Sequence, residues 1–291
     1  MIVACGTSTD AKGTPSGGSA RAPAPADPAA PAARASGVER ASTILTSQLA
    51  AIRNGNDPDL VATFSSDAIV LVPDPRAARG ETTGLREAIA RLSPHATLKK
   101  ISATKVVANA NASAVWWSAE CSITSDDHEP ETKAHSETTT IRITEIATAD
   151  AGWKVVAAAF AEVRSAEAAA DNSPIDDKST TKTGPLTPLA GDVTQLDAHL
   201  ASSAVVFGTD KGEAAFDATA AHTLLKGWTR LKFTIPGKSR ELHGKEWGFA
   251  ITNVDWQQPK EKVPTRMSAL VIGTPAANGS WQIVAAQYVA N

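Results

Sequence analysis

The chain has 291 residues, a formal net charge of −3 and 42% hydrophobic residues. That is room for two domains of ordinary size, each with its own apolar core. A charge so near zero leaves no electrostatic footprint for nucleic acid, and no apolar run is long enough for a membrane-spanning helix.

The N-terminal stretch Ile2-Val3-Ala4-Cys5-Gly6 resembles the lipobox of bacterial lipoproteins, in which a small residue precedes the cysteine to be acylated. The basic and apolar segments of a secretory signal do not stand ahead of it, so the alternative is an ordinary cysteine in a tail. Residues 6–37 are almost all Ala, Pro, Gly, Ser and Thr. They cannot bury enough apolar surface to offset their ordering entropy. As a coil they span roughly 30 Å, and about 100 Å as polyproline helix. This suits a tether, so Cys5 is expected to carry lipid and residues 1–37 to hold the rest clear of a cell envelope, with the membrane met through that anchor alone.

A first domain is expected over 38–165. Ala41, Ile44, Leu45, Leu49 and Ile52 share one face of a helix over 39–53 that Asn54-Gly55 ends. Asp57-Pro58 reads as an N-cap with proline at the first helical position. A strand follows over 68–72 and a helix over 83–92, stopped by Ser93-Pro94, then strands near 97–108, 113–124, 135–147 and 152–163. Residues 166–186 lose periodicity and gather Asp, Ser, Thr, Lys and Pro, as a linker does. A second domain over 187–291 takes a helix at 192–201, a strand at 204–208 and a helix near 217–227. Its later strands fall near 229–235, 244–255, 264–273 and 280–289. No helical period covers 172–190, so this domain is expected to lack its first helix, or to borrow residues 164–171 in its place. Helices followed by a run of antiparallel strands is an α+β order, with helices on one face of a curved sheet.

The two domains repeat one pattern. Ser65-Ser66-Asp67-Ala68-Ile69-Val70 corresponds to Ser202-Ser203-Ala204-Val205-Val206-Phe207, and Trp153-Lys154-Val155-Val156-Ala157-Ala158 to Trp281-Gln282-Ile283-Val284-Ala285-Ala286. With Val206-Phe207-Gly208-Thr209-Asp210-Lys211-Gly212-Glu213, the chain resembles tandem SnoaL-like domains of the nuclear transport factor 2-like superfamily. The resemblance implies two cone-shaped domains with a pocket between helices and sheet, and pairing through the sheets, so the two copies are expected to dock on each other. It also implies a choice of activities, since isomerases, polyketide cyclases and dehydratases share the fold. The isomerases place a carboxylate base where this chain has Val72 and, in the second copy, Gly208. Neither can take a proton.

Weak catalytic candidates are Asp74, His135 and Asp210. Asp74 and Asp210 match each other, and both sit in Pro- or Gly-rich loops where a turn explains them as well. Strand parity puts Trp117, Ala119 and Cys121 on one face and Ser118 and Glu120 on the other. It likewise sets Ile141 and Ile143 against Arg142, and Trp247, Phe249 and Ile251 against Glu246 and Thr252. The cavity face is therefore expected to be apolar and without placed acids, with Trp117, Trp247, Phe249 and Glu213 as ligand contacts. The histidines are scattered without metal-ligand spacing, and no motif asks for a cofactor. The reading is an envelope-tethered protein that binds a small apolar molecule or a partner protein and lacks catalysis. The alternatives are a cyclase, isomerase or dehydratase, and a structural accessory domain whose cone is filled.

Overall fold

The structure, a computed structural model, describes residues 29–72, 97–127, 135–163, 184–236, 239–260, 262 and 264–290. Cys5, Asp74, the helix expected over 83–92, residues 164–171 and most of the expected linker lie outside the described residues.

The architecture is α+β, with helices packed on one face of each of two mainly antiparallel sheets. Helix α1 (Ala29–Asn54) begins earlier than the periodicity predicts. Its stripe of Ala41, Leu45, Leu49 and Ile52 is buried, and Gly55 at φ 60° turns the chain away. Asn56, rather than the expected Asp57, caps α2 (Asp57–Ala62) by accepting from the Asp59 N–H. Strands β1 (Phe64–Leu71), β2 (Thr97–Ala110), β3 (Ala114–Asp127), β4 (His135–Thr148) and β5 (Lys154–Glu162) form a sheet in the order β1-β5-β4-β3-β2. The outermost pair β1 and β5 is parallel. Irregularities in the β2–β3 register at Leu98/Lys100 and Ala103/Lys105 bend the sheet, as bulges do.

The second half opens with two short helices, α3 (Thr187–Ala190) and α4 (Val193–Ala198), followed by β6 (Leu200–Phe207), β7 (Ala214–Ala215) and α5 (Ala218–Trp228). Then come β8 (Lys232–Thr234), β9 (Arg240–His243), β10 (Gly248–Gln257), β11 (Thr265–Pro275) and β12 (Trp281–Ala290). The sheet order is β7-β6-β12-β11-β10-β8 with β9 also on β10, and β6 is parallel to β12. Where one strand is expected from 244 onward, the chain makes a hairpin instead. The Gly244 N–H bonds to the Trp247 carbonyl, and a side chain at 244 would strike the Trp247 indole. The start of this half is anchored by Glu241. Its carboxylate accepts from the N–H groups of Gly184, Leu186 and Thr187 and from the Thr187 hydroxyl, and it pairs with His243 at 2.8 Å.

The helices bury one face of each sheet. Leu45, Leu49, Leu60, Trp117, Ile143 and Phe160 belong to the first core; Leu189, Leu196, Leu225, Trp228, Val254 and Tyr288 belong to the second. The other faces of the two sheets meet each other. Ile69, Trp116, Ile146, Ala157, Ala159 and Ala161 of the first sheet pack against Trp247, Phe249, Ile251, Leu270, Ile272 and Val284 of the second. The alanines of β5 leave room for the larger side chains opposite, the interdigitation expected between packed sheets. The result is four layers: helices, sheet, sheet, helices.

This layering corrects the expectation that Trp247 and Phe249 line a cavity under the helices. They belong to the sheet–sheet cluster. Alternation along β10 is right, but both its faces are buried, and the one toward the helices carries Ala250, Thr252 and Val254. The polar face of β3 and β4 is likewise an internal surface. Arg142, only 2% exposed, bonds to Glu120 at 3.0 Å and donates to the carbonyls of Gly208 and Asp210 across the junction at 2.9 and 3.0 Å. Gln287 donates back to the Arg142 carbonyl at 3.1 Å.

Candidate functional site

The interior of the first half holds a polar group that the cavity-face expectation misses. Glu145 lies on β4 on the same face as Ile143 and Ala147, directly across from Trp117 on β3. Helix α1 brings Gln48 to the same place, on the stripe that carries Leu45 and Leu49. Gln48 and Glu145 are both 0% exposed. The Gln48 amide donates to Glu145 Oε1 at 3.0 Å and to Thr63 Oγ1 at 3.2 Å, while the Thr63 hydroxyl donates to the Leu60 carbonyl at 2.7 Å. Parity from Ile141 and Ile143, continued by two residues, is the signal that would have placed Glu145 inward.

Removal from water disfavours the charged carboxylate, and burial pushes Glu145 up to about 8, with the Gln48 bond and the neighbouring Trp117 indole pulling the other way. The acid is therefore protonated at neutral pH. Three buried atoms around it have no hydrogen-bond partner: Glu145 Oε2, Gln48 Oε1 and Trp117 Nε1. The indole lies close enough to favour the carboxylate, yet its N–H makes no bond of ordinary geometry. A carboxyl, an amide oxygen and an indole N–H together offer both donors and acceptors to a third molecule. Unsatisfied buried polar groups are rare and costly enough to ask for one. Cys121, on the same face of β3, is pushed up to about 12 by burial and by Glu145 and Glu120. Its thiol stays protonated and unreactive. Val72 is buried in this core. On the flank, a groove of about 420 Å³ between α1 and β2 is walled by Leu45, Leu49, Ile101 and Val106.

The second half has a different interior. Trp228, Phe233 and Tyr288 stack and cross edge to face with centroids 5.3 to 6.3 Å apart. The Tyr288 hydroxyl donates to the Ala190 carbonyl at 3.0 Å, and burial holds the phenol protonated. These rings fill the space beneath α5 with their polar ends satisfied.

The remaining sequence candidates do not converge. Trp117 faces the first interior. Asp210 is exposed at the turn after β6. Its side chain accepts from the Thr209 hydroxyl, its N–H donates to Glu213 Oε2, and its carbonyl takes Arg142. Glu213 is a clamp for that turn rather than a ligand contact, since its other oxygen accepts from the Trp228 indole at 2.9 Å. His135 opens β4 opposite Asp127, and its side chain lies outside the described set. Among the described residues no group of three or more His, Cys, Asp or Glu is arranged to hold a metal, and no helix is long and apolar enough to cross a membrane.

No protein-family model matches the chain, and no curated protein matches it. Among solved structures it is similar to a protein of unknown function with a cystatin-like fold from Nostoc punctiforme, at 11% identity and TM-score 0.32 over 37% of this chain and 89% of that one. It is also similar to an NTF2-like protein of unknown function from Pseudomonas putida, at 14% identity and TM-score 0.30 over 34% of this chain and 73% of that one. A ketosteroid isomerase-like protein from Erwinia carotovora is similar at 16% identity and TM-score 0.29, over 36% of this chain and 86% of that one.

Proposed function

We propose that this chain is a tandem, SnoaL-like binding protein of the cell envelope, whose first copy takes up a small, largely apolar molecule bearing one carbonyl or hydroxyl group. The observation that carries the reading is the trio of unpartnered atoms on Gln48, Trp117 and Glu145 inside an otherwise apolar core. An apolar site with a few converging polar groups is the usual composition of a small-molecule pocket. The reading of two copies is supported by strand order: β1-β5-β4-β3-β2 in one sheet and β6-β12-β11-β10-β8 in the other, with the first and last strands parallel in each. The second copy, filled by its own aromatic rings, serves as the scaffold on which the first is mounted.

Binding is favoured over catalysis on chemical grounds. A protonated acid such as Glu145 can donate to a carbonyl oxygen, as acids in isomerase sites do, but turnover also needs a base within reach. The position expected to supply one is Val72, the neighbouring thiol is held protonated, and Asp210 is engaged at the junction. Calorimetric titration of the full chain with 2-naphthol and with naphthalene tests the reading. The expected result is roughly ten-fold tighter binding of the alcohol and loss of that preference in Glu145→Leu. Equal affinity for the two compounds, or binding of neither, overturns it.

The location rests on Cys5 and the Ala- and Pro-rich residues after it. In its own cell the protein is expected in the membrane fraction and labelled by radioactive palmitate, and Cys5→Ala is expected to release it and abolish the label. Unlabelled protein that stays with the membrane would remove the anchor from the proposal.

A further inference from the structure

We infer that the cleft at one end of the sheet–sheet junction is a second binding site, specific for a neutral, polyhydroxylated ligand of mono- to disaccharide size. The cleft has a volume of about 420 Å³, within the range of roughly 300–1,000 Å³ typical of small-molecule sites, which favour domain boundaries. It is distinct from the interior around Glu145 and does not depend on it. Its walls come from both halves: Asn109 and Trp116 from the first, Ser202, Ser203, Glu246 and Gln282 from the second.

The chemistry of these side chains narrows the ligand. Two carboxamides, two hydroxyls and one carboxylate present mixed donors and acceptors, and Trp116, only 8% exposed, adds an apolar patch at the edge of the sheet–sheet core. A sugar ring carries hydroxyls around its rim and C–H groups on its faces, so it matches both kinds of surface. No Lys, Arg or His is among the residues lining the cleft, so a phosphorylated or sulfated ligand finds no counter-charge there.

Several of the lining groups are held in place. The Asn109 amide donates to Ser203 Oγ at 3.1 Å across the junction. Glu246 receives the Ser113 hydroxyl on Oε2 at 3.2 Å, and its carbonyl takes the Asn111 amide at 2.7 Å. These bonds hold the side chains of Asn109 and Glu246 in the cleft wall before a ligand arrives, which favours affinity. Ser202 and Gln282 are exposed on the rim and add a hydroxyl and an amide.

Calorimetric or NMR titration of the full chain with glucose, cellobiose and chitobiose tests the site, with glucose 6-phosphate and putrescine as the anionic and cationic arms. At least one neutral sugar is expected to bind saturably at millimolar concentration, and the two charged compounds not to. Ser202→Trp, which fills the cleft from an exposed position, and Gln282→Ala are each expected to weaken binding roughly ten-fold while the ligand-free melting temperature stays as in the parent. Failure of all three sugars to bind, sugar binding indifferent to Ser202→Trp, or preferential binding of either charged compound would overturn the assignment.

Discussion

Arg142→Ala is expected to lower the unfolding free energy by about 3–5 kcal/mol, the range seen when one partner of a buried ion pair is removed. The guanidinium is where the two sheets are tied by charge. It bonds Glu120 on its own sheet at 3.0 Å and the Gly208 and Asp210 carbonyls of the other half, and it lies 5.5 Å from the centre of the Phe207 ring. Truncation leaves a partly buried carboxylate and two carbonyls without their donor, and opens a hole in a packed interface. The double replacement Arg142→Met with Glu120→Leu removes both charges and keeps most of the volume, so it is expected to cost less than the single change. Urea unfolding followed by far-ultraviolet circular dichroism checks both. The parent is expected to unfold in one transition, and Arg142→Ala to split it toward two, one for each half. A loss below roughly 1 kcal/mol, the level of an exposed pair, would show that the junction is held by its apolar surface alone.

Stability is expected to fall as pH rises from about 5 to about 8, and Glu145→Gln is expected to remove that part of the fall. The folded chain holds the Glu145 proton until about pH 8, while an unperturbed glutamate releases it near 4.5. Between those values the folded state binds one proton that the unfolded state does not. The unfolding free energy therefore drops by about 1.4 kcal/mol per pH unit, then levels once the folded form ionises too. Below pH 4.5 the group is protonated in both states and contributes no slope. The glutamine variant keeps an acceptor for Gln48 and cannot ionise, so at pH 8 it should exceed the parent by a few kcal/mol. The difference between the two urea midpoints across pH isolates this residue from every other carboxylate. A constant difference would mean that Glu145 meets water.

The sequence makes most strands legible because alternation and the Trp-x-Val-Val endings mark them: β3, β4, β5, β11 and β12 lie within about three residues of their expected bounds. Two kinds of information are missing from it. Parity tells which residues share a face, but not what that face meets. Arg142, Ser118 and Glu120 read only as a polar face, and Phe249 as a cavity wall, because nothing local announces which side of each strand turns to the helices and which to the second sheet. Glu145 is hidden for a related reason. A glutamate in a strand is expected at the surface, and its inward position shows only when the period is counted past Ile143. Prolines obscure the α3 segment in the sequence, yet Pro188 sits at the start of its single turn, where proline is compatible with a helix.

The parallel pairing of β12 with β6 bears on synthesis. β12 sits between β6 and β11, with residues 283 to 289 buried. On the ribosome, β6 emerges early and must wait for all the intervening chain before its neighbour exists. Until then the sheet has a gap at its centre, and the apolar edges that will flank β12 stand open to other nascent chains. Closure of this half therefore waits until β12 has been made, which makes it a natural client for chaperones that shield unpaired strands.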